Sequence, residues 1–210
     1  MNRFALAAAA AAALSVSSFA QAPAPQTAAA PPAAAGPNVW QVDTAHSSAG
    51  FSVKHMMVST VRGTLGPVGG TIAYDGTSVE SIKADIAIDV NGVNTGNTNR
   101  DNDLRSPNFF DVAKHSTVTF KSKRAEPSGQ GRFRLVGDLT MRGVTKEVTL
   151  EVDGPSPILK QPNGSQKVGA SATGTLNRRD FNLPYNRMIE AAPVVGDEIT
   201  IQIDIEANKK

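Results

Sequence analysis

The sequence predicts an all-β protein, an extended eight-stranded antiparallel barrel interrupted once by a short helical lid segment. Three observations carry this. Apolar and polar residues alternate with period two through most of the chain beyond residue 38, turn dipeptides separate the alternating runs, and no long stretch repeats its apolar residues at helical spacing.

The chain begins with a segment that does not belong to the fold. Arg3 is followed by an apolar and small-residue run from Phe4 to Val16 and then Ser17, Ser18, Phe19 and Ala20, the pattern of a signal peptide cleaved after Ala20 or Ala22. The run is too short to span a bilayer, and no later run is longer. Residues 21–37 hold eight Ala and five Pro with no charge, which leaves too little to bury against the entropy of ordering and predicts an extended, disordered tether. The barrel domain is expected at 38–210. A chain with this leader is expected to be exported, with the periplasm as its compartment, and with no Cys its fold must be held by packing alone.

Eight strands follow. Gly50–Met57 is the first, with Phe51, Val53 and His55 of one parity, and Val61–Tyr74 the second. Ser81–Val90 alternates most plainly, Ile82, Ala84, Ile86, Ile88 and Val90 facing one way and Lys83, Asp85 and Asp89 the other. Thr117–Ala125 contains Phe120, and the next strand sets Phe133, Leu135 and Leu139 against Arg132, Arg134 and Asp138. Val144, Val148, Leu150 and Val152 then oppose Thr145, Glu147, Thr149 and Glu151. Lys167–Asn177 precedes the last strand, where Ile199, Ile201, Ile203 and Ile205 oppose Thr200, Gln202, Asp204 and Glu206. Turn signals lie at Asp75-Gly76, Ser128-Gly129, Arg142-Gly143, Asp153-Gly154, Asn163-Gly164 and Gly196-Asp197.

An open sheet of this kind would leave its apolar face uncovered, because no helix is large enough to cover it. Closure into a barrel removes that face and both edges. Eight strands enclose either packed side chains or one small ligand. Small residues at inward positions, Ala84, Gly137, Ala170, Ala172 and Gly174, and an aromatic content of 5% favour a cavity. Its wall is expected to include Phe51, Val53, His55, Ile86, Ile88, Phe120, Leu135, Leu139, Val148, Leu150, Ile201 and Ile203.

The stretch from Gly96 to Val112 breaks the alternation. Asn97 or Thr98 opens a helical turn that stops before Pro107, with Asp101 and Arg105 at i, i+4 and Arg100 and Asp103 at i, i+3 expected to pair within it. Leu104, Phe109 and Phe110 are the candidate cap of the barrel mouth, and Arg62, Arg100 and Arg105 the cations available to a ligand's polar end.

Other chemistries find little support. The three His, at 46, 55 and 115, have no paired metal-ligand spacing, so no metal is expected. There is no Cys and no Gly-x-Ser-x-Gly turn, while the neighbours His46 and Ser47 point to opposite faces of an extended strand, so no catalytic residue is expected. A net charge of +2, with no basic run longer than two residues, argues against nucleic acid.

WQVDTAHSSAGFSVKHMMVSTVRG, NRDNDLRSPNFFDV, FKSKR, GDLTMRGVTKEVTL and VGDEITIQIDIEA, in that order across Val39–Ala207, resemble the YceI family of exported lipocalin-like proteins. The resemblance implies a lipocalin-like barrel whose pore holds a polyisoprenoid or similar long-chain amphiphile, a quinone or its precursor among the candidates, with no other cofactor. Asp103 stands where the family often has His, Asn182 where Gly is usual after Asp-Phe, and Leu65 and Pro67 replace aromatic or apolar positions. Alternative readings are an exported protein-interaction module and an isoprenoid-modifying enzyme; a homodimer is compatible with all three. A five-carbon isoprene unit buried in such a pore would contribute on the order of 3 kcal/mol at about 0.8 kcal/mol per methylene, against about 1 kcal/mol net for a neutral hydrogen bond at the head. Affinity is therefore expected to follow chain length.

Overall fold

The computed structural model describes residues 38–185, 187–189 and 192–209. The expected leader and tether lie outside them. Eight staves form the barrel. β1 (Val39–Val42) and β2 (Ser48–His55) are two halves of one stave, and β3 (Ser59–Thr64) and β4 (Val68–Ala73) are two halves of the next. β5 (Lys83–Asp89), β6 (Thr117–Gly129), β7 (Arg132–Met141) and β8 (Val144–Asp153) continue as an antiparallel meander. After the two-residue β9 (Leu159–Lys160) come β10 (Gln166–Asn177), a small hairpin of β11 (Met188–Ile189) and β12 (Ala192–Pro193), and the long β13 (Val195–Lys209). β13 closes the barrel: β10 runs along one side of it, and β2 and β1 share the other. The helix α1 (Thr98–Arg105) lies between β5 and β6, at the end of the barrel where β2 meets β3.

Several boundaries differ from expectation, β6 among them running on to Gly129, and four of the differences have an identifiable cause. The first strand ends at His55, not Met57, because Val58 N–H donates to His55 O at 3.0 Å across a turn in which Met56 and Met57 are left-handed, with φ of 51° and 57°. The second strand breaks at Leu65–Pro67, where the N–H of Leu65 donates to Ala49 O and that of Gly66 to Asp89 O, each at 2.8 Å. Gly196-Asp197 is not a turn but an irregularity inside β13, whose register against β2 shifts between Val195 and Ile199. The strand around Trp40 was not expected, since four residues carry too little alternation. Trp40 is nonetheless fully buried, donates from Nε1 to Tyr74 O at 3.0 Å, and plugs the lower end of the barrel.

The alternation sorts the staves as a closed barrel requires. Ile82, Ala84, Ile86, Ile88, Phe133, Leu135, Leu139, Leu150 and Val152 are buried inside. Outside, charges pair across strands: Lys121 with Asp85 at 3.2 Å, Lys123 with Asp138 at 2.6 Å and Arg134 with Glu126 at 3.0 Å. This is the reverse of a membrane-spanning barrel, which turns its apolar face outward. Gly137 is small for a steric reason, since a Cβ there would stand 2.6 Å from Phe120 Cζ and 2.6 Å from Lys121 O. Its absence lets the Phe120 ring lie flat across the interior.

Candidate binding site

Two cavities follow one another along the barrel axis. The lower measures about 120 Å³ and the upper about 390 Å³, and Ile201 belongs to both walls. Among the described residues Tyr74 is the one polar side chain in the lower wall, so little there rewards a polar ligand atom. Ile86, Ile88, Phe120, Leu135, Leu139, Val148, Leu150, Ile201 and Ile203 all line this lower cavity, as their shared parity predicts. Ala84, Ala170 and Ala172 also border it. Larger residues at those three positions would fill the space, so these alanines leave a void, whereas Gly137 and Gly174 border neither cavity, and a Cβ on Gly174 would stand 2.9 Å from Leu150 Cδ2.

The upper cavity has a mixed wall. Phe51, Val53 and His55 reach it from β2, Arg100 and Leu104 from α1, and Phe109 and Phe110 from the segment that follows. Lys54, Asn99 and Asp103 complete its polar fringe. Asn99, Arg100 and Lys54 are exposed, so the upper cavity reaches the protein surface beside α1. Arg62 is a correction: it sits on the outer face of β3, opposite Ser52, and lines neither cavity.

The lid forms where expected, with different bonding. Asn97 caps α1, its side chain accepting from Arg100 N–H at 3.1 Å, and the helix stops at Ser106 before Pro107. The expected pairs inside the helix do not form. Asp101 is buried and accepts from the N–H and hydroxyl of Thr95 at 2.9 and 2.5 Å. Arg105 donates to the carbonyls of Asn91 and Val93, both at 2.8 Å, and Arg100 to Thr95 Oγ1 at 2.7 Å and Thr95 O at 3.0 Å. Arg100, Asp101 and Arg105 thus bind the loop before the helix, satisfying its carbonyls, N–H and hydroxyl, while Asp103 accepts from Ser106 and Asn108 after it. Arg105 is thereby committed, leaving Arg100 as the helix arginine on the cavity wall.

Phe109 is buried and stacks on Tyr185, ring centroids 4.8 Å apart at 20°. Phe110 packs half-buried beside it. Arg178 holds the opposite wall and was not singled out from the sequence. Its buried guanidinium donates to Gly196 O at 2.9 Å, Leu183 O at 3.0 Å, Tyr185 O at 2.6 Å and Val195 O at 3.3 Å. Burial pushes it below its ordinary pKa, opposed by Asp197, whose Oδ1 lies 2.8 Å from Nη2 but off the direction of a formed hydrogen bond. The available signal was parity: Arg178 shares the inward side of Leu176.

At the far end, Asp43, His46 and Glu206 bring their ligand atoms within 4.8 Å of one another. His46 lies 3.1 Å from Asp43, while the Lys167 ammonium pairs with Glu206 and approaches Asp43 at 3.6 Å. Hydrogen bonds from His46 and then Asn208 hold the Asp43 carboxyl well below its usual range. Lys167 supplies the positive charge these carboxylates require, so the group is an ion-pair network across the closing seam.

The YceI-like domain model matches residues 40–207. UPF0312 protein SAS2572 of Staphylococcus aureus (strain MSSA476) is 33% identical over 165 residues, 78% of this chain and 94% of that protein. The crystal structure of the Campylobacter jejuni YceI protein aligns at 32% identity and a TM-score of 0.65, covering 75% of this chain and 90% of that one. Two more distant structures have the same fold. Burkholderia cenocepacia BcnA aligns at 22% identity and a TM-score of 0.66 over 79% of this chain and 98% of its own. A polyisoprenoid binding domain from Saccharophagus degradans aligns at 17% and 0.59 over 81% and 98%. The motifs in order, the closed eight-stave barrel and the match across 40–207 lead to one assignment: the chain belongs to the YceI-like family.

Proposed function

We propose that the protein binds a long-chain amphiphile, a polyisoprenoid or a lipid of similar shape, with its tail in the lower cavity and its polar end in the upper. The observation that carries this is the sequence of walls along one axis: an apolar end that Trp40 plugs and Tyr74 borders, then a wider chamber with Arg100, Asp103 and His55 at its fringe. A uniformly apolar ligand would gain nothing from that fringe, and a compact polar one would leave the lower part empty. The Saccharophagus degradans relative, described as polyisoprenoid binding, supports the same class. A quinone or its precursor is one member.

Binding without turnover is the reading the polar groups favour. Asp103 accepts from Asn108 Nδ2 at 2.8 Å, and Arg100 is tied to Thr95, so each is engaged with its own loop. The leader-like residues 1–20 support export, and carriage or sequestration of lipid in the periplasm is the corresponding role. The test is organic extraction of the purified protein followed by mass spectrometry. A stoichiometric prenyl lipid is expected; protein free of lipid that takes up none when prenyl lipids of increasing length are added would overturn the proposal.

A further inference from the structure

Among the described residues six large apolar side chains are exposed: Met56, Met57, Val58, Leu159, Met188 and Ile189. Five of the six occupy two hairpin tips that are neighbours. The first tip is the turn joining β2 to β3, the second the β11–β12 hairpin. Met56 N–H donates to Val194 O at 3.0 Å and Val194 N–H to Arg187 O at 2.9 Å, which ties the tips together. Between them lie His55, Lys54, Val194 and Val195, all in the wall of the upper cavity. The apolar tips therefore flank the chamber that opens beside α1, and Leu159 stands alone at the other end of the barrel.

The first tip has a second peculiarity. Its two central residues are left-handed, the geometry for which Asn-Gly is the favoured pair, yet both are Met. Unbranched apolar side chains are thus held outward at a position whose backbone favours small polar residues. Val58 beside them is 85% exposed and Met57 59%. Lys54 and Arg187, both exposed, flank the tips, against the single acid Glu190 in the sequence of the second. Apolar side chains on a protruding, net-positive rim match an anionic bilayer surface, where the apolar groups enter the acyl boundary and the cations meet headgroup phosphates.

We propose that these two tips dock the barrel on a lipid bilayer rich in anionic headgroups, with the mouth of the upper cavity facing the membrane. The inference rests on the lipid-binding reading, since it gives the route by which an amphiphile passes between bilayer and barrel without crossing water.

The chain has no Cys, so Val58→Cys in the full chain gives one labelling site at the tip, and Lys160→Cys gives one at the opposite end. Each is labelled with an environment-sensitive fluorophore and titrated with phosphatidylcholine vesicles, with or without phosphatidylglycerol. The expected result is a blue shift at Val58, quenched by spin-labelled lipid and stronger with the anionic lipid, and none at Lys160. Adding Met56→Asn and Met57→Gly, which suit the turn, should weaken vesicle partition roughly tenfold or more by removing two buried apolar chains. The unfolding midpoint of that variant should not fall. No shift at Val58, equal shifts at both labels, or unchanged partition of the turn variant overturns the proposal. So does a concentration-dependent shift without vesicles, which would make the tips a contact between two copies. Cargo measured by extraction from the same preparations reports on the binding reading separately: cargo without tip insertion refutes docking alone, and tip insertion without cargo refutes binding alone.

Discussion

Arg178 illustrates how one side chain can hold a cavity wall. It gathers carbonyls from Leu183, Tyr185, Val195 and Gly196, groups on either side of the β11–β12 hairpin, and so fixes Tyr185 where it stacks on Phe109. Arg178→Met keeps most of the volume but leaves those buried carbonyls without their donor, while Asp197 keeps its pairing with Arg179 at 2.7 Å. A loss of about 3 kcal/mol is expected, as for breaking a buried pair. Chemical denaturation followed at Trp40, the single Trp, measures it. Asp75 offers a pH test. The N–H groups of Ser78 and Thr77 lower its carboxyl to about 2, so the folded state favours the ionised form. Its stabilisation is complete above the ordinary carboxylate range and is lost as pH falls through about 2. Asp75→Asn should flatten the fall in melting temperature over that window and change little near neutrality. Asn182 is another residue whose identity follows from backbone: it is left-handed, φ 53°, which Gly adopts freely and Asn tolerates.

At the scale of elements, α1 and the Phe109–Phe110 segment form a lid whose charges are internal and whose aromatics face the cavity. Replacing Phe109 and Phe110 together by Ala should speed release of a bound prenyl lipid more than Arg100→Ala does, because lost tail and ring contact exceeds one exposed polar contact. Off-rates from a fluorescent prenyl analogue decide the order. In the lower cavity, Ala172→Leu adds three carbons to a space of about 120 Å³. Affinity for the longest prenyl chains should drop with no loss of melting temperature, since the added carbons fill a void. Much of this was readable beforehand. The period-two runs fixed which side of β5, β7, β8 and β13 faces inward, and Asn97 and Pro107 bracketed α1. The misses differ in kind: the parity of inward Val61 places Arg62 outward and that of Leu176 places Arg178 inward, both legible in the alternation, while Trp40 lies on a short half-stave whose existence depends on where the staves break. Such breaks are set by tertiary hydrogen bonds such as Gly66 to Asp89 that no local pattern encodes.

For the whole molecule, closure depends on β13, which pairs with β10, β2 and β1. Val195–Asp204 pair with β2, Ala207 and Asn208 pair with β1, and β10 accompanies it from Glu198 to Lys209. The Lys167, Glu206, Asp43 and His46 network lies across that same seam. The pairings of β13 with β1 and β2 join positions far apart in the chain, so by loop-closure entropy they are expected to form late in folding. Until they form there is an open, curved sheet and no chamber of either kind. A chain whose β13 has not yet paired therefore has no enclosed chamber, whatever surrounds it. Order in time follows from topology: the barrel encloses a space only when its last long strand arrives, and on the proposed lipid-binding reading loading begins after that moment.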